Sequence, residues 1–286
     1  MIKVLLRKEI LELCLSAEKA RRRLLEIIYH SGCGQTGGDL SCLNVLMVLY
    51  HCYLNINKDN IDSPDRDRFI LSKGHCSEAL YTVLESKGII SKDFVDTLGK
   101  YCSSLAGHPL NTIPGIEVNS GALGHGLSIG VGMSLSAKMD SREFKTVVLL
   151  GDGELAEGSV YEAAISAGHY HLNNLIAIVD RNNLQISGPT EEIMPIEPFR
   201  DRWSSFGWLV SEMDGNDITS IVDTLDKLDL SKGKPNIILS HSTKGFGVSY
   251  MEGDPHWHHC VPSDQQYKIA ISEIDSRIEE IEKSRQ

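Results

Sequence analysis

Nothing in the 286-residue chain approaches the roughly eighteen uninterrupted apolar residues of a membrane-crossing helix. Positive charge is scarce as well. Twenty-eight basic residues stand against 39 acidic ones, a net charge of −11, and no local basic face offsets it, so no nucleic-acid or anionic-membrane partner is expected. Cysteine is present without pairing: Cys14, Cys33, Cys42, Cys52, Cys76, Cys102 and Cys260 are odd in number and scattered, which reads as reduced thiols rather than a zinc site or redox pair. The opening MIKVLLRKEILELCL is broken by Lys3, Arg7, Lys8, Glu9 and Glu12 and lacks an export signal's apolar segment and cleavage site, so a cytoplasmic location is expected. Internal repeats, low-complexity tracts and long linkers are missing too. With 41% hydrophobic and 23% charged residues, residues 1–286 read as one globular α/β domain with an N-terminal helical segment and a C-terminal helix.

Apolar positions Leu6, Ile10, Leu13, Ala17, Leu24, Leu25 and Ile28 recur at helical spacing up to Tyr29, and Ser31 and Gly32 stop that helix. After a glycine-rich turn, Leu40 to Tyr53 is apolar nearly all round, the pattern of a buried helix. Lys145 to Leu150 and Leu175 to Val179 are short, β-rich and apolar, as in fully buried parallel strands, with a helical stretch from Val160 to His169 between them. A helix from Ile218 to Leu228 precedes a further strand from Pro235 to Ser240. Gln265 to Arg285 places Ile271, Ile274, Ile278 and Ile281 on one stripe of a closing helix, and Pro189, Pro195 and Pro198 mark one extended loop.

The chemistry gathers where strands end. Gly151-Asp152-Gly153-Glu154 follows one predicted strand and Asp180-Arg181-Asn182-Asn183-Leu184 follows the next, so both loops leave the same edge of the sheet, where open α/β sheets bind ligands. Asp152 offers a carboxylate, Asn182 an amide oxygen and Leu184 a main-chain carbonyl, three hard donors suited to Mg²⁺ with phosphate and water completing its shell. Gly151 and Gly153 would let the backbone approach a diphosphate. Gly-Asp-Gly alone is a common turn, but thirty residues separate Asp152 from Asn182, the interval of the thiamine-diphosphate signature.

At this point the chain resembles the N-terminal half of transketolases, and in particular the separate N-terminal subunit of two-subunit forms. The resemblance runs from about Arg21 to Val261. It rests on Phe69-Ile70-Leu71-Ser72-Lys73-Gly74-His75, on Gly107-His108-Pro109, and on the stretch from Pro114 to Gly126 that contains Gly121-Ala122-Leu123. It continues through Gly151 to Gly158, Asn174 to Asp180, Lys244 to Glu252, and Trp257-His258. His169 to Asn174 (HYHLNN) looks transketolase-like rather than like the α subunits of 2-oxoacid dehydrogenases, which favours ketol transfer over oxidative decarboxylation.

The resemblance implies a thiamine-diphosphate-binding α/β fold, a mostly parallel sheet with helices on both faces. It also implies transfer of a two-carbon ketol unit from a ketose donor to an aldehyde acceptor. Asp152, Asn182 and the Leu184 carbonyl would hold Mg²⁺, with Gly153, Glu154, His75 and His258 at the diphosphate and Gly121, Ala122 and Leu123 beside the aminopyrimidine. His108 and His258 would act at the reaction centre, and Glu157 would join a carboxylate network between subunits; its alternative is a solvated helix-start residue. Gln35, in Gly34-Gln35-Thr36-Gly37-Gly38, stands where the family has a substrate-contacting histidine; an amide hydrogen-bonds but does not titrate, which points to a specialised donor. His256-Trp257-His258-His259-Cys260 reads as a loop presenting His258, not as a zinc site.

The expected partner is a C-terminal chain carrying the pyrimidine-binding domain and its activating glutamate, two copies of each chain forming a heterotetramer. Two rival readings stay open: a related carboligase that starts from a 2-oxoacid, kept alive by Gln35, and a non-catalytic cofactor-binding regulatory subunit.

Overall fold

The computed structural model describes residues 7–186 and 188–285. In chain order, helices α1 (Arg7–Ser31) and α2 (Thr36–Val48) precede strand β1 (Arg68–Leu71), followed by helices α3 (Ser77–Ser86), α4 (Lys92–Val95) and α5 (His125–Met139). Strand β2 (Thr146–Gly151), helix α6 (Gly158–His169) and strand β3 (Leu175–Arg181) come next. Then follow a small hairpin of β4 (Leu184–Gln185) and β5 (Gly188–Pro189), and helices α7 (Thr190–Ile193) and α8 (Phe199–Ser205). Strand β6 (Leu209–Asp214), helix α9 (Ile218–Asp226), strand β7 (Asn236–His241) and helix α10 (Asp264–Ser284) complete the order.

The five long strands form one parallel sheet, ordered β1-β2-β3-β7-β6. Successive side chains point to opposite faces of a strand, and here both faces are apolar. Phe69, Leu71, Val147, Leu149, Ile176, Ile178 and Ile238 join α1, α2, α3, α9 and α10 in one core. Ile70, Val148, Leu150, Ala177, Val179, Ile237 and Leu239 join α5, α6 and α8 in the other. The expected mostly parallel sheet between two helical layers is therefore observed, and β2, α6 and β3 form the βαβ unit expected of them.

Several boundaries differ from the sequence reading. Strand β3 runs on to Arg181, so Asp180 belongs to the strand, paired in register with Gly151 on one side and Ser240 on the other. The buried helix begins at Thr36 rather than Leu40: Gly37 and Gly38 are helical, and after Val48 the chain continues as a π turn over Leu49–Tyr53. The reason is packing. A Cβ on Gly37 would come 2.9 Å from the Trp257 carbonyl oxygen, and one on Gly38 would come 3.0 Å from Cys76 Sγ. Helix α1 ends at Ser31, where Gly32, at φ 67°, donates to the Ile28 carbonyl at 3.1 Å; Leu6, assigned to this helix from sequence, lies outside the described residues. The proline-marked loop contains β5, α7 and α8, and β1 and β6 join the sheet without having been anticipated. Helix α10 opens with a capping box between Ser263 and Gln266 and packs along α1 through buried Ile274. Among the described residues no helix is long and apolar enough to cross a membrane.

Candidate cofactor cradle

A cavity of about 360 Å³ opens at the carboxyl ends of β1, β2, β3 and β7, a size suited to a small ligand. One wall is made by the sheet ends and the other by Gln35 and Gly38 at the start of α2 and His75 just ahead of α3.

On the sheet wall, Asp152 is buried. Its Oδ2 accepts from Arg181 (3.1 Å), the Asn183 N–H (2.9 Å) and the Thr190 hydroxyl (2.9 Å), whereas Oδ1 accepts only the Gly153 N–H at 2.8 Å. A carboxylate has about four acceptor sites, so the orientation is fixed from one side while Oδ1 keeps capacity for another partner. Burial, followed by the nearby Asp180 charge, pushes the Asp152 carboxyl up. Asn182 is oriented in the same way, with Nδ2 donating to Asp180 at 3.0 Å and Oδ1 accepting the Leu184 N–H at 3.1 Å.

Beneath them lies a buried ion pair. Lys73 Nζ donates to Asp180 Oδ2 at 2.5 Å, and Asp180 also accepts from Ser41 at 2.7 Å and from Ser242. Burial alone would raise the Asp180 pKa, but the Lys73 charge and these donors hold it below the usual carboxylate range; Asp180 in turn holds the Lys73 ammonium well above its ordinary value against burial. The pair joins β1 to β3 and fixes the strand end from which Asn182 projects.

The helix wall is built differently. Asp39 reaches from α2 to accept the Ala79 N–H of α3 at 2.9 Å, capping a helix whose own N-cap residue, Cys76, makes no side-chain cap. Glu78 lies fully buried beside it. Burial, then the mutual charge, raises Asp39, and burial pushes Glu78 up to about 7. Gln35, half-buried at the start of α2, lines the cavity with Oε1 buried and without a hydrogen-bond partner. His75 and His258 face each other with ring centroids 5.4 Å apart. Lys244 Nζ sits 2.7 Å from His258 Nδ1. An ammonium only donates, so Nδ1 accepts and the proton of the neutral imidazole resides on Nε2. Burial and the Lys244 charge lower His258 to about 4, and burial together with Lys73 lowers Lys244 to about 8.

Of the residues singled out from sequence, Gln35, His75, His108, Gly121, Leu123, Asp152, Gly153, Glu154, Asn182, Leu184 and His258 all line this one cavity. Ala122 and Glu157 do not; both are exposed, Glu157 at the N-cap of α6. Glu154 borders the cavity, but its carboxylate accepts from Ser72, from the Gly124 N–H (2.8 Å) and from the Gly151 N–H (3.0 Å), so it ties loops together rather than facing a ligand. The glycines expected to let a diphosphate approach differ in surroundings: a Cβ on Gly153 would lie 2.8 Å from Gln185 Cγ, whereas Gly151 has ordinary room at 3.9 Å. The sequence reading gave no role to Lys73, Asp180, Lys244 or Gln185. Their signal was weak: lysines inside motifs read as solvated until burial is known.

The donor set of one carboxylate, one amide and one carbonyl fits a hard cation that draws the rest of its shell from phosphate and water. Among the described residues no group of three or more His, Cys, Asp or Glu side chains could hold a metal; His256 Nε2 and Cys260 Sγ approach to 3.6 Å near the surface.

The family described as "Transketolase, thiamine diphosphate binding domain" matches residues 15–270. An apulose-4-phosphate transketolase subunit from Phocaeicola vulgatus is 55% identical over 269 residues, covering 94% of this chain and 96% of that one. The 6-deoxy-6-sulfo-D-fructose transketolase subunit SqwG of Clostridium sp. is 39% identical, covering 91% of this chain and 94% of that one. The solved transketolase from Leishmania mexicana superposes with a TM-score of 0.83 at 26% identity, covering 96% of this chain and 45% of that one, so this chain spans just under half the length of that enzyme. The chain belongs to the transketolase family and carries its thiamine-diphosphate-binding domain.

Proposed function

We propose that this chain is the cofactor-binding subunit of a two-subunit transketolase that moves a two-carbon ketol unit from a ketose phosphate to an aldehyde. The observation that carries the reading is the convergence of Asp152 and Asn182, from adjacent strand ends, on the cavity that His75, His258 and Lys244 line from other elements. Thiamine diphosphate, when bound, supplies the carbon nucleophile that carries the two-carbon unit between substrates. Asp152, Asn182 and the Leu184 carbonyl would hold Mg²⁺. His75, Gly153 and the protonated Nε2 of His258 would donate to diphosphate oxygens, with the Lys244 ammonium adding positive charge. Gly121, Ala122 and Leu123 would flank the aminopyrimidine. His108, an exposed residue of the cavity lining, would meet a ketol hydroxyl.

A partner chain would supply the pyrimidine-binding half, two copies of each completing a heterotetramer in which Glu157 faces another subunit. Two observations support a partner: the similar chains from Phocaeicola vulgatus and Clostridium are named as subunits, and Ile186, Ile193 and Met194 are exposed in and just after the hairpin at the cavity. Seven free cysteines suit a reducing cytoplasm. The donor is a specialised ketose phosphate. Gln35 replaces the expected histidine, and those two relatives are named for apulose-4-phosphate and 6-deoxy-6-sulfo-D-fructose.

The test is an assay of the assembled complex with a panel of ketoses and 2-oxoacids, with and without thiamine diphosphate and Mg²⁺. Turnover of a ketose phosphate that requires both additions, with a preference that shifts in Gln35→His, is the expected result. Turnover of 2-oxoacids alone would move the chain to the carboligases, and cofactor binding without turnover would make it a regulatory subunit.

A further inference from the structure

Two buried amide atoms in the cavity wall have no hydrogen-bond partner: Gln35 Oε1, an acceptor, and Gln185 Nε2, a donor. A buried donor left unpaired is a net cost to the fold, so such an atom in a ligand cavity marks the place of a missing acceptor. Gln185 lies on β4 directly after Leu184, and β4 packs against the 3₁₀ turn Pro255–His259 that carries His258. Its side chain lies across Gly153, where an added Cβ would come 2.8 Å from Cγ and 3.4 Å from Nε2. No acceptor of the protein takes this N–H: Asp152 Oδ2 has three other donors, Asp152 Oδ1 has the Gly153 N–H and Asn182 Oδ1 the Leu184 N–H, and the capacity those two Oδ1 atoms keep is not used by Gln185. The acceptor must therefore arrive with the ligand, at the end of the cavity that Asp152 and Asn182 define.

We propose that Gln185 is a further ligand of the diphosphate, donating its side-chain amide N–H to a phosphate oxygen beside Gly153. The inference rests on the cradle reading above. It assigns the two orphaned atoms to different substrate chemistry: an amide donor at the anionic end, and the Gln35 acceptor toward the hydroxyl-bearing end.

Every residue of the cradle is on this chain, so Mg²⁺ with inorganic pyrophosphate, titrated calorimetrically into the full chain, tests the assignment without a partner. Gln185→Leu should weaken pyrophosphate binding by about tenfold, the loss of one hydrogen bond to a charged acceptor, and Gln185→Glu should weaken it further. Unliganded Gln185→Leu should unfold at or above the wild-type temperature, because it loses no hydrogen bond and removes an unpaired buried donor, which separates a binding effect from a folding one. Wild-type affinity retained by Gln185→Leu would overturn the proposal. Failure of the wild-type chain to bind Mg²⁺-pyrophosphate would overturn the cradle reading itself, and this inference with it.

Discussion

The two walls of the cavity meet similar demands with opposite electrostatics. On the sheet wall, charge is compensated: Asp180 collects Lys73, Ser41, Ser242 and Asn182 and is held below the usual carboxylate range, and Asp152, though burial pushes its carboxyl up, collects Arg181, Thr190 and two backbone donors. Behind the helix wall charge is suppressed: Asp39 and Glu78 are buried side by side with raised pKa values, and glycines replace side chains at the closest approaches. A compensated network fixes the strand ends, and the capacity left on Asp152 Oδ1 lets a cation be added without rearrangement. Glycines at the closest approaches present no side chain, so what this wall offers a ligand is set by single side chains such as Gln35 and His75.

The largest expected effect from breaking this contrast is on the sheet side. Lys73→Met leaves Asp180 as an uncompensated buried charge and should destabilise the chain by about 3–5 kcal/mol, read by chemical denaturation. A change below about 1 kcal/mol would mean that the hydroxyl and amide donors alone satisfy Asp180. On the helix side the effect is smaller and depends on pH. The folded-state pKa of Glu78 is raised, so the folded chain keeps a proton that the unfolded chain has already lost, and stability falls as pH rises through about 7. Glu78→Gln removes that dependence, and between pH 5 and 8 it should gain on the order of 2 kcal/mol relative to wild type. Parallel stability curves for the two proteins would show that Glu78 is ionised throughout and that the two walls do not differ in this way.

The parts of the fold that were legible in sequence were those where burial is uniform. β2, β3 and β7 are covered on both faces, so their runs of Val, Leu and Ile are nearly unbroken. β6 is an edge strand whose Ser211 and Glu212 dilute the apolar pattern, and β1 is four residues long and opens with Arg68. Helix α5 escaped because Gly126, Gly130 and Gly132 interrupt its periodicity. Gly37 and Gly38 read as a turn because glycine is disfavoured inside helices; what overrides propensity there is the approach of Trp257 and Cys76, which are distant in sequence. The site divided along the same line. Asp152 and Asn182 were found from spacing, since consecutive strands fix the geometry of their loops. The Lys73–Asp180 pair, Lys244 beside His258 and the orphaned amide of Gln185 depend on contacts between residues 14 to 107 positions apart or on burial itself, which no local pattern encodes.

The most direct measurement is the affinity of the assembled complex for thiamine diphosphate with Mg²⁺ when both side-chain donors are replaced, in Asp152→Asn combined with Asn182→Leu. If a divalent cation joins the diphosphate to the ends of β2 and β3, affinity should fall by at least about a hundredfold while the variant remains folded. Unchanged affinity in that double variant would contradict the account.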